Sequence, residues 1–327
     1  MFTKLLNSFF FPLTYIRNFL YDKGFIKQVI SSLPIISVGN LSFGGTGKTT
    51  FTIHICNKLM QNQIQPMVLS RGYKRKSNEI IIYYKNSMQP SVDIFGDEMF
   101  LADQKLQIPI AISKRKFLAI DKIENQINVD VIIIDDGFQH RKIFRDLDIV
   151  LIDKKSFQGF LREPLKNIVR AHIVLLQKCL DINLLPKGNF KVFKYNKIVK
   201  KFYDIDLNPV EPEQIANEKV LLVSGIGNNN SFLESMRAYF TNIVEHLKFK
   251  DHYYYTFYDV QIIIKNAKKL ESNIVVTTEK DFVKLLQFKD IFKNNINLVV
   301  CEIDLDIENE DMLLDKILQT INQRRKK

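Results

Sequence analysis

The run Gly44-Gly45-Thr46-Gly47-Lys48-Thr49-Thr50 follows the apolar stretch Pro34-Ile35-Ile36-Ser37-Val38 and leads into Phe51-Thr52-Ile53-His54-Ile55. Strand, glycine-rich turn and helix in that order make the context of a phosphate-binding P-loop. Glycines let the turn take backbone angles closed to other residues, so successive amide N–H groups converge on phosphate oxygens. Lys48 is placed to reach the β/γ-phosphates as a point charge, and the Thr49 hydroxyl to ligate Mg²⁺. The helix that follows aims its positive end at the same anion. Where the strict pattern has a glycine five residues before Gly47, this chain has Ser42. The loop predicts binding of a nucleoside triphosphate, ATP.

Outward from the loop, short apolar runs alternate with helical patterns. Strands are expected at 35–38, 67–69, 108–112, 131–134, 149–152 and 173–176, with helices at 49–61, 97–104, 114–125 and 163–170 between them. Such alternation predicts a P-loop NTPase-like parallel sheet flanked by helices. Residues 188–217 break the rhythm with lysine-rich polar stretches, and the run Phe190–Ile205 alternates well enough to suggest a β-hairpin hinge. Alternation resumes at 220–223, 231–240, 243–247, 258–269 and 274–277, which predicts a second, smaller α/β lobe. The expected organisation is an N-terminal helix (1–30), a P-loop core (31–187), a connector (188–217) and the smaller lobe (218–327), ending in a solvated tail at Arg324–Lys327.

The N-terminal stretch places Leu5, Leu6, Phe9, Phe10, Leu13, Ile16, Phe19 and Leu20 at helical spacing, with Lys4, Arg17, Lys23 and Lys27 interleaved. Pro12 and Arg17 interrupt it, which excludes a membrane-spanning helix, and no small-residue cleavage site follows. Two readings fit the pattern: an amphipathic helix at a membrane surface, or a helix packed on its own domain. The chain of 327 residues carries 47 Lys+Arg against 36 Asp+Glu, a net +11. That charge suits a nucleic acid, an anionic membrane or a phosphorylated substrate. The basic residues are spread rather than striped and no nucleic-acid motif accompanies them. Cys56, Cys179 and Cys301 lack metal-ligand spacing and read as reduced thiols.

Val131-Ile132-Ile133-Ile134 ends in Asp135-Asp136, the place where P-loop proteins keep a carboxylate for Mg²⁺. Gly137-Phe138-Gln139-His140-Arg141 follows at the carboxyl end of the same strand, the edge at which parallel sheets bind ligands. Gly96-Asp97-Glu98 reads from spacing alone as a helix start, and Asp251-His252-Tyr253 as a candidate proton relay. Ser70-Arg71-Gly72-Tyr73-Lys74-Arg75 and Arg162-Glu163-Pro164 bring cations to strand and helix ends.

Together these pieces resemble the tetraacyldisaccharide 4′-kinases, membrane-associated kinases of lipid A biosynthesis. The matching segments are VGNLSFGGTGKT (38–49), LSRGY (69–73), GDE (96–98), DDGFQHR (135–141), RDLDIVLID (145–153), LREPL (161–165), GIGN (225–228), DHYYYT (251–256) and VTTEKD (276–281). Ser42 matches that family's own loop, whereas Lys74 stands where it shows a second glycine. The resemblance implies transfer of the ATP γ-phosphoryl group to the 4′-hydroxyl of an acylated glucosamine disaccharide 1-phosphate. It implies Lys48 and Thr49 on the phosphates and Mg²⁺, and Asp135, Asp136 and Glu163 as metal-site carboxylates, without dividing the ion among them. It also implies Asp97 as catalytic base paired with His252, and Tyr73, Arg115, His140 and Arg162 as substrate-binding positions. The expected partners are the lipid A precursor disaccharide and the inner-membrane surface, met peripherally from the cytoplasmic face, with no nucleic acid and no obligate protein partner. A regulatory P-loop NTPase or metal-delivery ATPase is the competing reading. Guanine recognition would need a spacing that Thr278-Glu279-Lys280-Asp281 does not have.

Overall fold

The β-branched runs that flank the P-loop are buried along their whole length, as strands covered on both faces require. A computed structural model describes residues 2–42, 45–73, 75, 77, 79–84, 87–158 and 160–326, with backbone alone at 2–10 and 158. The chain forms two compact units: Met1–Phe95 with Ala102–Asn196 and Leu305–Lys327, and Gly96–Leu101 with Lys197–Asp304.

In the first unit the strands are β1 (Ile35–Asn40), β2 (Pro66–Ser70), β3 (Ile81–Tyr83), β4 (Ile110–Ile112), β5 (Val131–Asp135), β6 (Leu147–Ile152) and β7 (Ile173–Gln177). Their order is β7-β6-β1-β5-β2-β4-β3. All pair in parallel except β3, which runs antiparallel to β4 at the edge. From β1 the chain builds outward on one side, and only with β6 does it cross to the other. The carboxyl end of β1 is therefore a topological switch point, and the P-loop leaves from it. Ile35, Met67, Leu69, Ile132 and Ile134 pack on Ala119, Ile120 and Ile123 of helix Lys116–Gln126. Val150, Ile152, Val174 and Leu176 close on Phe138 and Ile168. The expected helix at 163–170 is a 3₁₀ turn, Leu165–Arg170, because Pro164 holds an extended ψ and blocks an earlier start.

In the second unit, β10 (Val220–Ser224), β11 (Ile243–Lys248), β12 (Ile274–Thr278) and β13 (Asn297–Ile307) pair in parallel in the order β11-β10-β12-β13. Period-two alternation sorts their side chains. Leu221, Val223 and Val275 meet Val260, Ile263 and Ile264 of helix Phe257–Lys269. Val220, Leu222 and Val276 meet Phe232, Met236 and Phe240 on the other face.

Two expectations need correction. The run Phe190–Ile205 does not fold back on itself: Lys191–Asp204 is one strand, β8. It contains no glycine or proline that could turn the chain. A small antiparallel pairing forms only at its end with β9 (Pro209–Val210), through a turn in which Asp204 accepts from the backbone N–H groups of Asp206 and Asn208. The C-terminal segment, read above with the smaller lobe, belongs to the first unit. There Glu310 at the start of helix Glu310–Arg325 pairs with His54 and Lys58. Arg324 donates to the Ser31 carbonyl at 2.8 Å and Arg325 pairs with Asp130, so these two arginines are not a solvated tail.

The N-terminal helix, Phe2–Asp22, packs Phe11 on the Phe138 cluster and buries two polar side chains beside it. Thr14 and Asn18, one turn apart, are buried, while Leu13, Tyr15, Ile16 and Phe19 are exposed at 45–68%. The side chains of Lys4, Leu5, Leu6, Phe9 and Phe10 lie outside the described residues. No helix among the described residues is long and apolar enough to cross a membrane.

Gly39, on β1 just before the P-loop, leaves no room for a side chain: a Cβ there would lie 2.5 Å from the Phe138 Cβ. Gly39→Ala should cost about 1–3 kcal/mol of stability by overpacking, measurable as a lower denaturant midpoint; an unchanged midpoint would mean that Phe138 moves freely.

Candidate active site

The P-loop is held in place by an amide that the sequence does not advertise. Asn40, fully buried at the end of β1, donates to the Ser42 carbonyl at 2.9 Å and to Thr46 Oγ1 at 3.0 Å. Its Oδ1 accepts from Lys48 Nζ at 3.1 Å, so one side chain fixes both limbs of the loop and its lysine. Tyr195 donates to the Thr46 carbonyl, and Gln139 donates to the Asn40 carbonyl. Gly47 takes the left-handed conformation at φ 101°, which starts helix Lys48–Gln61. Gly44 lies outside the described residues; Gly45 and Thr46 lie in the loop before that helix, and Thr49 and Thr50 in its first turn.

Asp135 ends β5 with its carboxylate facing the first turn of that helix, where Thr49 and Thr52 hydroxyls each donate at 3.4 Å. Asp136 leaves the strand at φ 54°, a costly angle for a side-chain-bearing residue. Lys116 holds that turn. Fully buried, it donates to the backbone carbonyls of Asp135 and Asp136. Burial lowers the Lys116 ammonium to about 8, although the charges of Asp136 and Asp135 oppose the shift. Gly137 must follow, because a Cβ there would meet Ser37 Oγ at 2.7 Å.

The turned Asp136 carboxylate accepts both of its Arg162 contacts, at 2.6 and 2.7 Å, and lies 3.6 Å from Lys48 Nζ. Burial works to raise its pKa, but Lys48, Arg162 and Lys116 outweigh it and keep the group ionised far below the usual carboxylate range. Arg162 reaches this place because its N–H bonds the Leu41 carbonyl and Leu161 bridges Ser42. His140, half-buried in the same cationic surroundings, is lowered to about 3 by burial first and then by Lys116. It is a neutral imidazole at physiological pH, able to offer one N–H but no charge.

Glu163 does not join the carboxylates. It is fully buried and faces the N-terminal helix, one oxygen accepting from Arg17 at 2.7 Å and the other from Asn18 at 3.1 Å, Asn167 at 2.8 Å and Arg170. These donors leave it no role as a metal ligand, which corrects its expected place beside Asp135 and Asp136. Among the described residues no group of three or more His, Cys, Asp or Glu side chains is placed to hold a metal ion. The donor set that remains, the Thr49 hydroxyl and an Asp135 oxygen, suits Mg²⁺, which keeps waters and substrate phosphates as its other ligands. Tyr73 and Arg115 are exposed, Tyr73 in the loop after β2 and Arg115 at the start of helix Lys116–Gln126.

In the second unit Asp97 and His252 are already in contact. Asp97, 5% exposed, opens helix Asp97–Leu106, and His252 Nδ1 lies 2.7 Å from its Oδ2. Its Oδ1 accepts the Glu98 N–H at 2.9 Å. Burial would raise the Asp97 pKa. The His252 hydrogen bond, with the charges of His252, Lys280 and Lys284, overrides it and holds the carboxyl below its ordinary value. An ionised Asp97 requires the proton on His252 Nδ1, which points Nε2 toward Asp251 at 3.8 Å. The pair forms inside one unit, since the Asp97 segment packs within the unit that carries His252.

A P-loop with its lysine, a strand-end aspartate pair and a buried carboxylate–histidine pair define a P-loop phosphotransferase. A model of the family described as tetraacyldisaccharide-1-P 4′-kinase matches residues 2–322. The chain belongs to that family. It is 33% identical over 316 residues to the tetraacyldisaccharide 4′-kinase of Aquifex aeolicus, covering 90% of this chain and 95% of that one. The enzyme of Koribacter versatilis is 32% identical over 322 residues, covering 94% and 95%. The crystal structure of the "apo" form of LpxK from Aquifex aeolicus in complex with ATP matches with a TM-score of 0.80 at 30% identity, over 98% of this chain and all of that one.

Glu163→Ala should leave Arg17 and Arg170 facing a void and lower stability by about 3 kcal/mol or more, seen as a reduced melting midpoint. A variant that melts normally but needs more Mg²⁺ for activity would restore Glu163 to the metal site.

Proposed function

We propose that this chain transfers the γ-phosphoryl group of ATP to the 4′-hydroxyl of a tetraacyl glucosamine disaccharide 1-phosphate, forming lipid IVA in lipid A biosynthesis. The observation that carries the chemical part of this reading is the 2.7 Å contact between buried Asp97 and His252. A sugar hydroxyl is a poor nucleophile, and a placed base is worth roughly 10²–10⁴-fold. Asp97 accepts the hydroxyl proton as the 4′-oxygen lone pair forms the new bond to the γ-phosphorus. The bond from that phosphorus to the β,γ-bridging oxygen breaks, and ADP leaves with the electron pair. His252 orients the carboxylate through Nδ1–H and balances its charge before the proton arrives. Lys48 and Arg162 neutralise phosphate charge, and the backbone N–H groups of the loop cradle it. Thr49 and Asp135 are the residues that would hold Mg²⁺, which adds further charge neutralisation on the triphosphate. Tyr73, Arg115 and His140 are assigned to the acceptor, with His140 donating an uncharged hydrogen bond.

An acceptor with four acyl chains stays in a bilayer, so the enzyme meets it at the membrane surface. The exposed Leu13, Tyr15, Ile16 and Phe19, with Phe25 and Ile30 beyond them, are assigned to that contact on the cytoplasmic face of the inner membrane. The net +11 charge favours anionic headgroups.

A radiolabelled-ATP assay with the tetraacyl disaccharide 1-phosphate tests the reaction. Asp97→Asn should lower kcat by at least about 10²-fold with little change in ATP affinity; weaker ATP binding with turnover intact would make Asp97 a structural residue. Replacing Leu13, Ile16 and Phe19 together by Gln should move the protein from the membrane pellet to the soluble fraction while its melting midpoint holds, because these side chains are exposed. An unchanged membrane fraction would assign the helix to packing alone.

A further inference from the structure

Two motifs without a role in the scheme above, GIGN and TTEKD, meet DHYYYT, the motif that carries His252, around one buried carboxylate. Asp281, fully buried, accepts the Gly225 N–H at 2.9 Å and the Thr278 hydroxyl at 2.7 Å on one oxygen. Its other oxygen accepts the Tyr255 hydroxyl at 3.1 Å and Lys284 Nζ at 2.9 Å. A Cβ at Gly225 would be tight against Asp281 at 3.0 Å and the Lys250 carbonyl at 3.2 Å. The Gly225 carbonyl accepts the His252 N–H at 3.1 Å, which fixes His252 in its left-handed conformation at φ 55°. Asp281 thus anchors the peptide from which His252 is presented.

Lys284 is the link from this anchor to Asp97. Its side chain is 3% exposed, crosses 5.4 Å from the Tyr255 ring centre, and ends 4.0 Å from Asp97 Oδ2. A lysine this deeply buried is costly unless its charge is used. One carboxylate, Asp281, would already neutralise it, yet the ammonium stands between Asp281 and Asp97. We infer that Lys284 is a positioning residue for the phosphoryl transfer, a second cation that with His252 keeps the Asp97 carboxylate ionised and aimed. This rests on Asp97 being the base.

The charged groups facing Asp97 are His252 from the loop before helix Phe257–Lys269, Lys280 and Lys284 from helix Glu279–Leu285, and Glu98 beside it. Lys280 is engaged by Glu98 at 2.6 Å, so its charge is largely answered there. Asp251 faces the far side of His252. Removing the Lys284 charge therefore makes Asp97 easier to protonate. A base must be unprotonated to act, so the acid limb of the rate profile moves to higher pH.

The test is the pH dependence of kcat in the radiolabelled-ATP assay. Lys284→Met should move the acid limb up by about one pH unit, a loss on the order of tenfold below the limb that is recovered as pH rises, with ATP KM unchanged. Lys284→Arg should return the acid limb to its original place. Lys284→Met leaves Asp281 buried without its cation, so Lys284→Met with Asp281→Asn, which removes both charges of the pair, serves as the folded alternative. It should show the same displaced limb. An acid limb at the wild-type position in a folded variant, or a loss equal at every pH, overturns the inference. Asp97→Asn run alongside separates the two claims. If it is inactive while the Lys284 limb stays put, only the role of Lys284 fails; if it is fully active, Asp97 is not the base and both fail.

Discussion

Lys48, Arg162 and Lys116 converge on a single turn, where Lys48 and Arg162 meet the Asp136 carboxylate and Asp135 adds its charge opposite Lys116. The Asp135 carboxylate itself accepts from the hydroxyls of Thr49 and Thr52. Charges of one sign held together away from water are unstable unless an anion completes the set, and a triphosphate is such an anion. Much of the first unit serves to hold this arrangement before the nucleotide arrives. Lys116 stabilises the left-handed angle that swings Asp136 toward Lys48 and Arg162. Gly137 lets the chain continue past Ser37, and Asn40 keeps Lys48 beside its own loop. Preorganisation of this kind places the reorganisation cost in folding rather than in the catalytic cycle.

The segment Leu161-Arg162-Glu163 ties that cluster to the N-terminal helix. Leu161 bridges Ser42 at the root of the P-loop, Arg162 points to Asp136, and Glu163 points the opposite way into Arg17 and Asn18. Successive side chains of an extended segment alternate in direction, so two neighbours serve two sites. The consequence for the helix is unusual. Among its described residues the buried side chains, Thr14 and Asn18, are polar, Arg141 adds bonds to the Asn18 carbonyl and Asp22, Phe11 packs on the Phe138 cluster, and Leu13, Tyr15, Ile16 and Phe19 are exposed. Docking through Glu163 and Arg141 fastens the helix to the domain without using these four exposed side chains, the ones proposed for membrane contact.

Period and position in the sequence carried the sheet well. Runs such as Val131–Ile134 and Val220–Val223 are short, apolar and bounded by turn residues, and each is a strand with limits close to those expected. The glycine-rich run before Lys48 and the Asp135-Asp136 pair stand out in the sequence because phosphate and metal chemistry demands particular residues at fixed spacing. What the sequence hid depends on contacts between distant residues. Glu163 follows Arg162 and looked like a third carboxylate of the same cluster; only the helix more than a hundred residues earlier in the chain shows where it points. The residue types around Lys116 and Asn40 do not mark them, since the contacts of each are made to residues of other elements. The signal available for Asn40 was its place between β1 and the loop, where a buried amide can serve donors and acceptors on both sides. Lys191–Asp204 read as a hairpin because alternation fixes the face of a residue and not the length of a strand.

The role proposed for Asp97 raises a problem of its own, because cations stabilise the proposed base. His252 and the lysines that keep Asp97 ionised also make it a weaker base, and a strong acid's conjugate base cannot pull a proton from an unactivated sugar hydroxyl. The difficulty disappears if the proton leaves late. In a loose phosphoryl-transfer transition state the bond to the leaving oxygen is largely broken before the new bond forms. The attacking hydroxyl becomes acidic only as its oxygen begins to bond to phosphorus, and at that point a weak base suffices. What matters then is that the carboxylate be ionised at working pH and stand in line with the departing proton. Both are properties of orientation and charge rather than of basicity, and the surroundings of Asp97 supply them: a capped helix start, a histidine fixed through Gly225, and a buried lysine at 4.0 Å.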